Sequence, residues 1–134
     1  DVITLAQLRS KHEPYFKLIE DDVKELNQRI PAAKIVIVPS GEAVMALRDK
    51  VIKGEAPGVR TQNELFTDAL GHPGPQIRVL SAYCHFSVIY RRSPVGLPVV
   101  SQLTKLPEAE KLNRMLQQIA WKAVTGHPMS GVAQ

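Results

Sequence analysis

Two short runs of the chain are apolar at successive positions and rich in β-branched side chains. They lie at residues 2–5 (Val-Ile-Thr-Leu) and at residues 34–38 (Lys-Ile-Val-Ile-Val). An apolar run of this kind, bounded by polar residues, is typical of a strand that is buried on both faces of a parallel sheet. The pattern therefore predicts two buried strands, one at the start of the chain and one just before Pro39.

The segment between these two runs is apolar at helical spacing instead. Ile19, Val23, Leu26 and Ile30 recur at intervals of four, three and four residues. This spacing places all four side chains on one face, and charged residues occupy the other face, which predicts an amphipathic helix.

Proline and glycine set the expected ends of the helices. Pro14 suits a first helical turn, and Pro31 stops the first helix. Ser40 is an N-cap candidate for a second helix, which Gly54 ends. A short helix is predicted within residues 63–70 and longer ones over residues 75–90 and 107–124, the last with an inward face of Leu112, Met115, Leu116, Ile119 and Ala123.

The order strand, helix, strand, helix is typical of a right-handed parallel α/β unit. The predicted fold is α/β, a parallel sheet flanked by helices, formed as one domain over residues 1–134. A two-stranded sheet is marginal in water, and an open apolar edge is a template for association. We therefore expect the sheet to be incomplete in this chain, and to be completed by a missing N-terminal segment or by another chain.

Composition narrows the classes of function only a little. The chain is 44% hydrophobic and 22% charged, with a net charge of +4 that is dispersed along the sequence. Nucleic-acid binding usually needs clustered basic residues, so it is not favoured. No run approaches the roughly 18 consecutive apolar residues of a membrane helix, and no membrane partner is predicted. One cysteine, Cys84, cannot form a disulfide within the chain.

The histidines do not predict a metal site. His12, His85 and His127 share no ligand spacing with His72 or Cys84, whereas zinc ligands come in recognisable short pairs. No metal and no cofactor are therefore expected.

Asp68 and His72 are the candidate catalytic residues, in a loop before the helix at residues 75–90. An aspartate and a histidine are the base and the orienting group of a hydrolytic triad. Loops rich in Gly, Pro, Asp and His are also common as solvated turns, and spacing alone leaves both interpretations open. Ser40 lacks the glycines two residues before and after it that a nucleophile elbow needs, so we interpret it as a helix cap.

Longer runs around these residues resemble one known family. Residues 64–73, residues 83–98, residues 35–48 and the tail at 127–132 together resemble the C-terminal part of SGNH (GDSL-type) hydrolases. The likeness is to an uncharacterised branch of planctomycete-type bacteria and covers residues 34–132. It implies a bacterial protein and leaves the compartment open, secreted and periplasmic locations included.

The resemblance also implies a reaction. It implies hydrolysis of a small ester or an acylated carbohydrate, with His72 as general base and Asp68 as its partner. Gln7 falls near the position of the family's oxyanion-hole asparagine, although a plain surface role for it stays open.

Two departures from the family pattern limit these assignments. Three residues separate Asp68 from His72 where the family has two, and the family's Gly-Asp-Ser and Gly-x-Asn-Asp segments are absent. The nucleophilic serine is therefore expected outside this chain. The alternative hypothesis is a non-catalytic α/β module that binds a partner through its sheet edge.

Overall fold

Four α-helices form most of the regular structure of the described residues. The structure, a computed structural model, describes residues 4–32 and 34–133. The helices are α1 (Leu5–Arg29), α2 (Ser40–Ile52), α3 (Pro75–Tyr90) and α4 (Ala109–Gly126), and a short 3₁₀ helix, Gln62–Leu65, lies between α2 and α3. No described helix is both long enough and apolar enough to cross a membrane.

The core lies between α2, α3 and α4. Leu112, Leu116, Ala120 and Val124 of α4 are fully buried, and their spacing of four residues places them on one face of the helix. They pack with buried residues of the other two helices and of the connecting loops, namely Ala43, Leu47, Val51, Leu65, Ile77, Leu80, Cys84, Val88 and Leu103. Burial of each leucine side chain contributes roughly 1.5–3 kcal/mol, so this face of α4 is a principal source of stability.

Three polar side chains are buried in the same core and pair with one another. The Tyr83 hydroxyl donates a hydrogen bond to Asn113 Oδ1 at 2.6 Å, and Gln117 Nε2 donates to the Leu97 carbonyl at 2.8 Å. Gln117 Oε1 accepts from the Gly96 N–H. This network fixes the loop between α3 and α4 onto both helices, because buried polar groups without partners are costly.

Helix α1 contributes no buried residue to this core and is attached through individual contacts instead. Thr4 and Gln7 form a capping box at its start. Phe16 packs against Gly41, where a Cβ atom would lie 2.7 Å from Phe16 Cζ, so any other residue at position 41 would displace the Phe16 ring. Asn27 Nδ2 donates to the Ile35 carbonyl at 2.9 Å, and Asn27 Oδ1 accepts from the Ile35 N–H at 2.7 Å.

The prediction of an α/β fold with a parallel sheet, as in SGNH or flavodoxin-like proteins, is wrong for the described residues. Their only β pairing is an isolated antiparallel bridge between Phe66 and Pro73. Leu5 begins α1, and Val2 and Ile3 lie outside the described residues.

The second predicted strand, residues 34–38, is not a strand because no other strand pairs with it. The Asn27 side chain forms hydrogen bonds with both the N–H and the carbonyl of Ile35, and the Ile37 N–H donates to the Met129 carbonyl. Backbone hydrogen bonds are satisfied there by a side chain and a loop instead of a ladder.

The prediction of a helix over residues 75–90 is confirmed, since α3 spans these residues. Helix α1 begins earlier than predicted, and Pro14 lies inside it instead of in its first turn. The capping box at Thr4 explains this early start, since it satisfies N–H groups that the first turn leaves free. The N-cap of α2 is Pro39, and Ser40, predicted as the cap, is its first residue.

Candidate functional site

A tight loop between the 3₁₀ helix and α3 carries the two candidate catalytic residues. The Phe66–Pro73 bridge closes it, and the Thr67 N–H donates to the His72 carbonyl at 2.9 Å. Gly71 has a φ of 86°, a conformation that suits glycine and lets the chain turn back within the loop. The loop thereby brings Asp68 and His72 to the same side.

Asp68 and His72 are in direct contact. Asp68 Oδ2 lies 2.5 Å from His72 Nδ1, and Asp68 Oδ1 accepts from the Leu70 and His72 N–H groups. The hydrogen bond from the His72 ring, followed by those from the backbone, lowers the pKa of Asp68. The carboxylate is therefore ionised at neutral pH and holds the imidazole by Nδ1.

This arrangement leaves Nε2 as the available nitrogen of His72. The His72 side chain is 64% exposed, so a reacting group has access to the ring. An imidazole whose Nδ1–H donates to a carboxylate presents Nε2 as a proton acceptor, which is the chemistry of a general base.

Two neighbouring grooves adjoin this loop. A polar groove of about 700 Å³ has Asp68 and Gly71 in its wall. A smaller and mostly apolar groove of about 340 Å³ runs between α1, α2 and α3. Arg48 and Phe66 line both grooves, so the two meet at these side chains.

Arg48 is a residue that the sequence did not single out. Its Nε donates to Gln62 Oε1 at 2.6 Å, and its guanidinium lies 5.8 Å from the centre of the Phe66 ring. Partial burial lowers the pKa of Arg48. The structure records no ion pair between Arg48 and any described residue, whereas Lys17, Lys24, Arg29 and Lys50 of α1 and α2 each have a carboxylate partner. The sequence shows only that Arg48 follows an apolar residue, Leu47, within a predicted helix.

Ser40 lies in the wall of the apolar groove and is partly buried. Its Oγ accepts a hydrogen bond from Ser81 Oγ at 3.3 Å. Cys84, packed beside it in the core, is fully buried, and this burial raises the pKa of the thiol to about 12. Cys84 is thus an inert core side chain at neutral pH.

Gln7, the candidate oxyanion donor, lies in the first turn of α1. Its side chain accepts hydrogen bonds from Thr4, and no contact with Asp68 or His72 is recorded among residues 4–32 and 34–133. The capping box accounts for Gln7 as a surface residue.

His127 forms a second cluster of ionisable side chains that sequence reasoning missed. Its side chain is 7% exposed, and its Nε2 lies 3.4 Å from Glu20 Oε1 and 3.8 Å from Glu42 Oε1. The Met129 N–H donates to its Nδ1 at 3.1 Å. His127 thereby joins α1, α2 and the segment after α4.

The described residues contain no group of three or more His, Cys, Asp or Glu side chains that could hold a metal ion. No protein-family model matches the chain, and neither a curated protein nor a solved structure matches it. The site is therefore interpreted from its own geometry.

Proposed function

We propose that the loop at residues 66–73 supplies the acid–base half of an ester hydrolase, with His72 as general base and Asp68 as its orienting partner. The observation that supports this most is the 2.5 Å contact between Asp68 Oδ2 and His72 Nδ1. A loop that orients an imidazole for catalysis needs a carboxylate bonded to Nδ1 and an accessible Nε2. Asp68 and the exposed ring of His72 meet both requirements.

The proposed reaction is acyl transfer. Nε2 of His72 takes the proton from a serine hydroxyl as its oxygen attacks the ester carbonyl, and the imidazolium then returns that proton to the leaving alcohol. A water molecule, deprotonated by the same Nε2, then attacks the acyl-serine, and the proton returns to the serine oxygen as the acid leaves. The Asp68 carboxylate stabilises the transient cation. Substrates are small esters or acylated carbohydrates.

The nucleophile comes from a polypeptide segment outside these 134 residues. Free backbone groups beside α1 support the docking of such a segment. Ile35 and Ile37 are hydrogen-bonded to Asn27 and Met129, but the structure records no partner among the described residues for the N–H groups of Val36 and Val38. Extended backbone with unpaired N–H groups is a place where added polypeptide can pair.

The test uses the complete reading frame that encodes these residues and 4-nitrophenyl acetate as substrate. His72→Ala should lower kcat/KM by roughly 10²–10⁴-fold, the usual contribution of a general base. The matched control is His85→Ala, because His85 is an exposed histidine of α3 whose recorded hydrogen bond is to the Ser81 carbonyl of the same helix. Circular dichroism checks that both variants are folded.

Two results would contradict the proposal. One is a His72→Ala variant as active as the wild type. The other is robust turnover by residues 1–134 alone that is lost in Ser40→Ala, which would place the nucleophile in the apolar groove instead.

A non-catalytic binding module is the second candidate, and the exposed face of α1 favours it. Tyr15, Leu18 and Ile19 are each more than half exposed. Apolar side chains gathered on one exposed helix are typical of interaction surfaces. If binding is the only function, Ile19→Glu should abolish association with the partner, and His72→Ala should change neither association nor any turnover.

A further inference from the structure

The apolar groove beside Arg48 has the features of a site for an aliphatic carboxylate. Six apolar side chains line it: Leu8, Phe16, Val44, Met45, Phe66 and Ile77. Its volume of about 340 Å³ is near the lower end of the roughly 300–1,000 Å³ that is usual for small-molecule sites. A single unbranched chain of moderate length suits such a space better than a bulky ring system.

The mouth of this groove carries a positive charge without an acidic partner. Arg48 is half-buried, and the one hydrogen bond recorded for its side chain is from Nε to Gln62, so the two terminal nitrogens of the guanidinium have no acceptor among the described residues. A guanidinium in this state matches a carboxylate, which it can bind through two parallel hydrogen bonds. Phe66 supports the guanidinium from its ring face.

We propose that this groove binds a medium-chain aliphatic carboxylate, with the alkyl chain between α1 and α2 and the carboxylate on Arg48. The inference rests on the proposed ester hydrolysis for its biological meaning, because the ligand is then the acid that hydrolysis releases. Arg48 and Phe66 also line the polar groove that contains Asp68, so the acid would lie where the two grooves meet. The acyl half of the proposed ester substrate is then an unbranched aliphatic chain.

Binding can be measured on residues 1–134 without any turnover. Acetate, butyrate, hexanoate and octanoate are titrated into the protein by isothermal calorimetry, with octanol as the uncharged probe. Affinity should rise by up to about fourfold for each CH₂ group that enters the groove, since each buried CH₂ contributes about 0.8 kcal/mol. Octanol should bind more weakly than octanoate.

Substitutions test the contributions of the Arg48 charge and of the apolar groove to binding separately. Arg48→Gln should weaken octanoate binding about tenfold or more and leave octanol binding unchanged, and Arg48→Lys should restore part of the loss. Val44→Phe, which narrows the groove, should weaken both ligands. Lys50→Gln is the matched control on α2, because Lys50 is paired with Glu55, and it should change neither affinity.

Equal affinity for acetate and octanoate would overturn the inference, as would octanoate binding that is unchanged in both Arg48→Gln and Val44→Phe. The outcome is independent of the hydrolase proposal. Octanoate binding without His72-dependent hydrolysis contradicts only the catalytic role, and hydrolysis without chain-length-dependent binding contradicts only the acyl groove.

Discussion

Helix α4 buries seven of its residues against α2 and α3, whereas α1, with 25 residues, buries none. The apolar residues of α4 lie on one face that the core covers. In α1, Phe16 and Val23 are partly covered, whereas Leu18 and Ile19 are more than half exposed. Two amphipathic helices of one chain are thus in opposite states of burial.

The contrast shows that helix formation and helix packing have separate causes in this protein. Helix α1 is supported along its own length by the Thr4 capping box and by i,i+4 pairs such as Lys17 with Asp21. It is attached to the core through few contacts, chiefly Phe16, Asn27 and Glu20. The core of α2, α3 and α4 depends instead on buried apolar area.

The largest expected effect is in the core. Leu116→Ala should lower the free energy of unfolding by about 2–5 kcal/mol, because the fully buried side chain leaves a cavity. Leu18→Ala is the counterpart in α1, where the side chain is 58% exposed, and should change the free energy by about 0.5 kcal/mol or less. Urea denaturation measures both, and equal losses would show that α1 is as tightly packed as the core.

A polar position of α4 should give the next largest effect. Asn113→Ala leaves the buried Tyr83 hydroxyl without its acceptor, and an unsatisfied buried group costs about 1–3 kcal/mol. Gln118→Ala, on the exposed face of the same helix, is the control and should be nearly neutral. If thermal unfolding finds the two variants alike, the buried network is not a source of stability.

The smallest effect is expected at the attachment of α1. Asn27→Ala removes two partly buried hydrogen bonds to Ile35 and should lower global stability by about 1 kcal/mol. Its main consequence should be local, with faster hydrogen exchange at the Ile35 amide and unchanged exchange at Leu116. Equal acceleration at both amides would mean that α1 and the core open as one unit.

The sequence predicted what periodicity and residue type encode. Helix α3 and the inward face of α4 were both predicted, and the resemblance to SGNH hydrolases implied the pairing of Asp68 with His72. The contact between those two side chains is present, and their catalytic roles stay a prediction. The sequence did not predict that Asn113 and Gln117 are buried, because polar residues are usually exposed. Their burial depends on their hydrogen-bond partners, the Tyr83 hydroxyl and the Leu97 carbonyl.

The errors concern relations between distant residues. Residues 34–38 have the composition of a buried strand, but composition does not tell which groups bond to the peptide units. Here Asn27 and Met129 do so. Arg48 was overlooked for the same reason, since its position over Phe66 and beside Gln62 depends on how the loop after α2 folds back.

The contact of Glu20 with His127 has a consequence for the order of assembly. Helix α1 reaches Gly41 and Ile35 through neighbours in the sequence, but Glu20 reaches His127 only when nearly the whole chain has closed on itself. The entropy lost on closing a loop grows with its length, so this contact forms against a larger penalty than any contact between α3 and α4. Among the ion pairs of the described residues, the contact of Glu20 with His127 therefore closes the longest loop.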